Sequence, residues 1–222
     1  MESHVVKIIK TEYVTHDVKR FRIEKPDEYK YIPGQATEVT IEGMEEKVGK
    51  GPFTFTSLNK DPELEFTIKI YSEVDGITKE LGKLKAGDKL ILHDVWGSIN
   101  YQGPGVFFAG GAGVTPFIAI FRQLFKDDQI AGNKLIFSNK TEKDIILKDE
   151  FEDMLGENFI NVITKGKTDK YINKRIDKEL IIKLVKNFKQ NFYICGPDKF
   201  VQDIQKILEE LGVSKDSIVI EK

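Results

Sequence analysis

The feature that most constrains the fold of this 222-residue chain is the run Val106-Phe107-Phe108-Ala109-Gly110-Gly111-Ala112-Gly113-Val114-Thr115-Pro116-Phe117. Its first residues are apolar without interruption, as a strand buried on both faces must be. Glycines follow, and then Phe117, Ile120, Phe121 and Leu124 recur at the helical period. A strand that turns tightly into a helix leaves free N–H groups and the positive end of the helix dipole pointing at one place, where an anion can sit. Glycine removes the Cβ that would hold a phosphate at a distance. The motif reads Gly111-x-Gly113-x-x-Pro116 instead of the more usual G-x-G-x-x-G, and a proline suits the first turn of a helix. The C-terminal half is therefore expected to hold the pyrophosphate of a nucleotide. A glycine-rich turn with no ligand is the alternative that the motif alone leaves open.

The rhythm of the chain changes on either side of Asn100-Tyr101-Gln102-Gly103-Pro104-Gly105. Before it, β-rich stretches at 5–13, 18–24, 36–41, 53–57, 64–71 and 89–93 are separated by turn residues such as Pro33-Gly34, Asp75-Gly76 and Gly87-Asp88. One helical stretch, 77–84, interrupts them. This spacing predicts a small antiparallel β-barrel over residues 1–102. After it, strands at 106–109, 135–138, 160–164, 192–195 and 217–220 alternate with helices at 115–125, 147–155, 178–188 and 199–211. That alternation predicts an α/β domain over 103–222, a doubly wound parallel sheet covered on both faces.

Composition excludes several classes. The net charge is −2 with no dense basic stripe, so no nucleic-acid partner is expected. No apolar run reaches the roughly 18 residues of a membrane span, and the N-terminus lacks the pattern of a signal peptide. Cys195 is the single cysteine, which excludes an intramolecular disulfide and an all-cysteine iron–sulfur cluster. His4, His16 and His93 are far apart in sequence, and no metal site is expected. The expected compartment is the cytoplasm and the expected state a monomer.

A β-barrel followed by a nucleotide-binding α/β half resembles the ferredoxin–NADP reductase family, and short segments carry the resemblance along nearly the whole chain. Pro33-Gly34-Gln35 resembles the family's P-G-Q, and Pro52-Phe53-Thr54 the end of its flavin motif R-x-[YF]-[ST]. Lys69-Ile70-Tyr71 and Gly76-Ile77-Thr78 resemble its flavin-phosphate segment. Gly87-Asp88 and Trp96-Gly97 fall where the barrel closes. Gly111, Gly113, Val114, Thr115 and Pro116 resemble its nicotinamide-nucleotide loop, and Cys195-Gly196-Pro197 its C-G-P.

The resemblance implies FAD and a nicotinamide nucleotide as cofactors, with FMN an alternative to FAD. Phe53 would stack on the isoalloxazine and Thr54 would hydrogen-bond near its N5. Thr78, at the start of the only helix of the first half, and Lys69 would meet the pyrophosphate. One position departs from the family: Gly51 stands where the motif has its arginine, so Lys50 or Lys69 would have to substitute. Cys195 would line the nicotinamide site beside Thr54 as the reacting-centre pair, without acting as a nucleophile. The residue that reads the adenosine ribose follows the glycine loop by 20 to 25 positions, where Ser138-Asn139-Lys140 offers no carboxylate. Ser138 and Lys140 are thus expected to favour NADPH over NADH. No aromatic follows Phe200, so no terminal aromatic is expected over the flavin. The implied function is an NAD(P)H-dependent FAD oxidoreductase that feeds a ferredoxin or flavodoxin. A reductase of diffusible flavin and a non-catalytic nucleotide-binding subunit are the alternatives.

Overall fold

A computed structural model describes residues 3–97 and 99–221. Six strands of the first half, β1 (His4–Tyr13), β2 (Val18–Glu24), β3 (Ala36–Ile41), β4 (Lys50–Thr54), β5 (Glu63–Lys69) and β6 (Lys89–Trp96), form one antiparallel sheet in the order β4-β3-β6-β1-β2-β5. A bridge between Phe55 and Phe66 joins the continuation of β4 to β5, which brings the two edge strands together and curls the sheet toward a barrel. Inward-facing Phe21, Phe55, Leu64, Phe66 and Leu92 fill it, with Tyr31 stacked on Phe55 at 4.1 Å. A single turn, α1 (Glu45–Val48), precedes β4, and α2 (Ile77–Lys83) covers one end of the sheet with Ile77 and Leu81 buried.

The second half forms a six-stranded parallel sheet from β7 (Gly105–Gly110), β8 (Lys134–Asn139), β9 (Phe159–Ile163), β10 (Ile172–Asn173), β11 (Asn191–Cys195) and β12 (Ile218–Ile220), in the order β10-β9-β8-β7-β11-β12. Its helices are α3 (Thr115–Lys126), α4 (Lys148–Leu155), α5 (Lys178–Leu184) and α6 (Asp198–Glu210). Strand alternation divides the core into two layers. Phe107, Leu135 and Phe137 face the layer that holds Phe117, Phe121 and Phe151, whereas Phe108, Ile136 and Ile194 face the layer that holds Ile204 and Leu208. The strand order reverses between β7 and β11, and the crevice at such a switch point, outside the carboxyl ends of the strands, is where α/β sheets take ligands.

The sequence reading needs four corrections. The fourth strand runs over 50–54 instead of 53–57, because its ladder with β3 spans Lys50 to Thr54 and Phe55 already bridges to β5. The other expected helices keep their bounds to within a residue, but α5 ends at Leu184, four residues early, where β-branched Val185 turns extended at φ −106° and ψ 120°. The one-turn α1 and the two-residue edge strand β10 were not expected. Among the described residues no helix is long and apolar enough to cross a membrane.

Candidate active site at the barrel–sheet junction

A cleft of about 640 Å³ opens where the carboxyl ends of β7 and β11 face β4 and β5. The barrel contributes Pro52, Phe53 and Thr54 from β4, Thr67, Ile68 and Lys69 from β5, and Tyr71 just beyond it. Ala36, Thr78 and Trp96 complete that wall. The opposite wall is Gly110, Ala112, Gly113, Thr115 and Pro116 after β7, with Cys195, Gly196, Pro197 and Glu221. Segments 52–54, 69–78, 110–116 and 195–197, widely separated in sequence, are thus brought to one place.

Phe53 and Gly51 share a face of β4, since side chains alternate along a strand. Phe53 is half-buried, edge-on to Phe66 at 6.5 Å, and presents the rest of its ring to the cleft. The Thr54 hydroxyl has no side-chain partner among the described residues and so has its donor and acceptor capacity available. At Gly51 an added Cβ would lie 2.9 Å from Ile77 Cγ2 and 3.2 Å from the Phe53 ring. Ile77, 9 % exposed and packed into the barrel core, therefore occupies the space into which an arginine at 51 would grow.

Neither lysine named as a substitute for that arginine is free. Lys50 is paired with Glu38 and does not line the cleft. Lys69 lines it, but its Nζ lies 2.7 Å from Asp17 Oδ2. Asp17 itself is held below the ordinary carboxylate range: burial pushes it up, but the hydrogen bond and charge of Lys69 outweigh that. Thr78 faces the cleft from the first turn of α2, Gly76 stands at that helix's N-cap, and Ile70 faces a neighbouring cleft.

The glycine loop is a 3-10 turn, Gly111–Val114, that runs directly into α3 with Pro116 in its first turn. Its two motif glycines differ in role. Gly111 adopts φ +54°, a left-handed conformation that glycine takes without strain, and an added Cβ there would meet nothing within 4 Å. A Cβ on Gly113 would instead lie 2.4 Å from the Cys195 carbonyl oxygen and 2.5 Å from Gly196 Cα. Gly113 thus lets the loop after β7 pack on the loop after β11, which corrects the expectation that its missing side chain only makes room for a phosphate. Val114 is fully buried in the core and faces away from the cleft wall.

Cys195 is 7 % exposed, and burial, with the nearby Glu221 carboxylate adding to it, pushes its thiol up to about 12. It stays a neutral thiol at neutral pH and is no thiolate nucleophile. Its Sγ lies 3.8 Å from Glu221 Oε2. Sequence reasoning missed Glu221, although the parallel register that sets Ile194 beside Ile220 places the next residues, Cys195 and Glu221, side by side. Trp96, which the sequence places only at the closing of the barrel, lines the cleft.

Two further depressions continue the cleft. One, of about 260 Å³, is lined by Gly111, Ser138, Asn139, Lys140 and Thr164, with Pro197 and Phe200 on its other side. The other, of about 690 Å³, lies between the domains and is lined by Lys140, Lys143, Lys165, His16, Asp17 and Asp144 among others. Tyr71, half exposed, borders all three. Among the described residues Lys140, Lys143 and Lys165 form no ion pair. Asn139, 4 % exposed, has both amide atoms without a protein partner. His16, isolated in sequence, here lies 3.6 Å from Asp144 and 3.7 Å from Asp17, so the fold joins what sequence distance had separated. Lys69 and the Thr141 hydroxyl already engage those two carboxylates.

The walls fit a flavin and a nicotinamide nucleotide. The apolar Phe53 ring beside an unpartnered Thr54 hydroxyl matches a flat ring with one polar edge, and the open space over Gly111 at the start of α3 matches a pyrophosphate. Comparison with known proteins agrees. The oxidoreductase FAD-binding domain family matches residues 5–101, and the oxidoreductase NAD-binding domain family matches residues 107–206. NADH-cytochrome b5 reductase 1 of Aspergillus terreus is 28% identical over 227 residues, covering 91% of this chain and 75% of the relative. NADH-cytochrome b5 reductase 2 of Mus musculus is 24% identical, covering 98% and 94%. In fold the chain resembles a ferredoxin NADP+ reductase from Neisseria gonorrhoeae solved with bound FAD and NADP, with a TM-score of 0.86, 19% identity and coverage of 99% and 98%. It also resembles the CS-b5R domains of human Ncb5or in the NAD+ form, with a TM-score of 0.84, 25% identity and coverage of 99% and 69%. With both domain families matched in tandem and the cleft built where they meet, the chain belongs to the ferredoxin–NADP reductase-like superfamily and is a flavin-dependent NAD(P)H oxidoreductase that uses FAD.

Proposed function

We propose that this protein takes reducing equivalents from NADPH and delivers them singly to a small electron-carrier protein, a ferredoxin or a flavodoxin. The observation that carries this reading is the shared cleft, in which Phe53 and Thr54 of the barrel face Gly113, Pro116 and Cys195 of the sheet. FAD, when bound, supplies the conversion of a hydride, two electrons together, into single-electron transfer. The chain's own part is to bind, orient and exclude water. Phe53 offers a ring to stack on, and the Thr54 hydroxyl offers a hydrogen bond at the ring's polar edge. Pro52, Lys69, Ile70, Tyr71, Gly76, Ile77 and Thr78 form the flavin side. Gly111, Gly113, Thr115 and Pro116 with Cys195, Gly196 and Pro197 form the nucleotide side, with Val114 anchoring the loop in the core behind them. Cys195, neutral and buried, contributes shape and dryness at the reacting centre without a charge.

Ser138 and the lysine cluster of Lys140, Lys143 and Lys165 favour the 2′-phosphorylated nucleotide, since a phosphate gains from cations that have no other partner. The named relatives act with NADH and cytochrome b5, which makes a haem carrier the natural comparison acceptor. A second reading, a reductase of diffusible flavin, is favoured by one observation: glycine stands at the arginine position, Gly51, with Ile77 packed against it, and among the described residues no guanidinium lines the cleft. The test is an anaerobic visible-absorbance titration of the purified protein. Bound flavin that bleaches with NADPH and is reoxidised by ferredoxin or flavodoxin supports the first reading. Colourless protein that reduces only added FMN or FAD supports the second, and reoxidation by cytochrome b5 alone would replace the proposed carrier.

A further inference from the structure

Arg122 lies on α3, six residues and therefore about 9 Å along the helix from Pro116 in the nucleotide loop. It is largely buried, and its side chain crosses to the barrel. Nη1 donates to the Thr56 carbonyl oxygen at 2.6 Å and to Glu65 Oε1 at 2.7 Å. The rest of the guanidinium is bidentate on Glu150 of α4, with Nη2 2.9 Å from Oε2. Its barrel anchors lie on β5 and just past the end of β4, the two strands that build the flavin side of the cleft. Thr56 is two residues past Thr54, and Glu65 is two residues before Thr67, which lines the cleft. The Thr56 hydroxyl ties the two strands together, 2.8 Å from Glu65 Oε1 and 3.2 Å from the Thr67 hydroxyl. One planar guanidinium thus fastens α3, α4, β5 and the end of β4 at once, a geometry that a lysine point charge does not reproduce.

We propose that Arg122 is a positioning residue: it fixes the separation between the nucleotide loop at the start of α3 and the flavin-side strands at Thr54 and Thr67. It touches neither cofactor. Its effect reaches the reaction through distance, and transfer between two bound rings is steep in distance, so a displacement of about 1 Å costs on the order of 100-fold in rate. Glu150 holds the guanidinium flat from its own domain, while Glu65 and Thr56 are the cross-domain contacts.

The test uses the full chain. The double variant Arg122→Met/Glu65→Gln removes both charges of the cross-domain pair, so that neither remains buried alone. Nitroxide labels on cysteines at exposed Lys85 and Lys206, one per domain, report the interdomain distance with no nucleotide present. The expected result is a broadened distance distribution and retained FAD. Flavin reduction at saturating nucleotide should be slower by about 10-fold or more, with KM changed by less than about 3-fold. Arg122→Lys should recover only part of the rate, and Glu150→Gln should leave the distance distribution narrow. Unchanged distances and an unchanged rate in the FAD-loaded double variant would overturn the assignment, as would a rate loss that merely tracks lost FAD. Should the double variant fail to fold, Arg122→Gln alone, whose shorter side chain loses both cross-domain contacts while Glu65 keeps its Thr56 hydroxyl partner, carries the same test. The distance readout decides the matter whichever nucleotide or carrier the protein proves to use.

Discussion

Gly51 and Cys195 carry the most consequence per atom. The family pattern has an arginine where this chain has Gly51, and from sequence alone restoring it would be expected to tighten FAD. The structure reverses that expectation, because the first carbon of any side chain there meets Ile77 at 2.9 Å and the Phe53 ring at 3.2 Å. Gly51→Arg should therefore push Ile77 out of the barrel core and tilt the ring meant to face the flavin. The expected cost is about 1–3 kcal/mol of stability, as for other overpacked sites, with weaker FAD binding. Thermal unfolding and FAD titration of the purified variant check it, and tighter FAD at an unchanged melting temperature would refute it. Cys195 gives a pH prediction. A thiol raised to about 12 from an ordinary 9.0 keeps its proton through neutral and mildly alkaline pH, and holds about a thousandfold less thiolate there. Iodoacetamide at pH 8 should thus modify the native protein at least about 100-fold more slowly than the unfolded chain. Glu221→Gln, which removes the negative charge 3.8 Å from Sγ, should speed that reaction. Rapid modification of the native wild type would show the thiol to be neither buried nor raised.

Among the elements, the glycine loop after β7 and the C-G-P turn after β11 behave as one unit. A Cβ on Gly113 meets Cys195 and Gly196 backbone, and a Cβ on Gly196 would meet the Phe200 ring at 2.8 Å and Gly110 backbone at 3.1 Å, so the two turns pack closely on each other with Phe200 wedged at their edge. Gly113→Val should separate them and lose nucleotide affinity and melting temperature together. Gly111→Ala, whose Cβ points into open space but whose φ of +54° stays left-handed, should cost only about 1–2 kcal/mol. Calorimetric unfolding and nucleotide titration of both variants separate the cases; a Gly113→Val protein of unchanged stability would return the glycine to a pure ligand-approach role. The regular elements were legible because each carries its own period: two in the barrel strands, 3.6 in α3 and α6. The misreadings share a cause. Phe53 to Ser57 reads as a strand by composition, but pairing with β3 decided where β4 ends, and pairing is not written in the segment itself. Glu221 became visible only when β12 was set beside β11 in parallel register.

At the scale of the whole molecule, what was illegible is the contact between the two halves. Each half announced its own class, but nothing in the sequence brings His16 to Asp144, Arg122 to Glu65, or Lys140 and Lys165 to the mouth of one cleft, because those pairs are joined only when two separate sheets dock. The lysine cluster is the part of that docking with the clearest consequence. Lys140 and Lys143 follow β8, Lys165 follows β9, and none is neutralised by an ion pair among the described residues, whereas Lys69 beside them is held by Asp17. A chain of net charge −2 has no general attraction for anions, so any preference for a 2′-phosphate must come from this local field. Each exposed cation is worth roughly 0.2–1 kcal/mol against a phosphate, which makes three of them worth about 10-fold in binding. The variant Lys140→Ala/Lys143→Ala/Lys165→Ala should accordingly raise KM for NADPH by about 10-fold and leave KM for NADH within about 2-fold. Added salt should weaken NADPH binding to the wild type more than to the variant, since exposed charges are screened beyond roughly 10 Å at 0.1 M. Steady-state kinetics with both nucleotides at two ionic strengths measure all of this. Equal losses for NADPH and NADH would mean that the lysines meet the pyrophosphate common to both, and the preference for the phosphorylated nucleotide would then have to be abandoned.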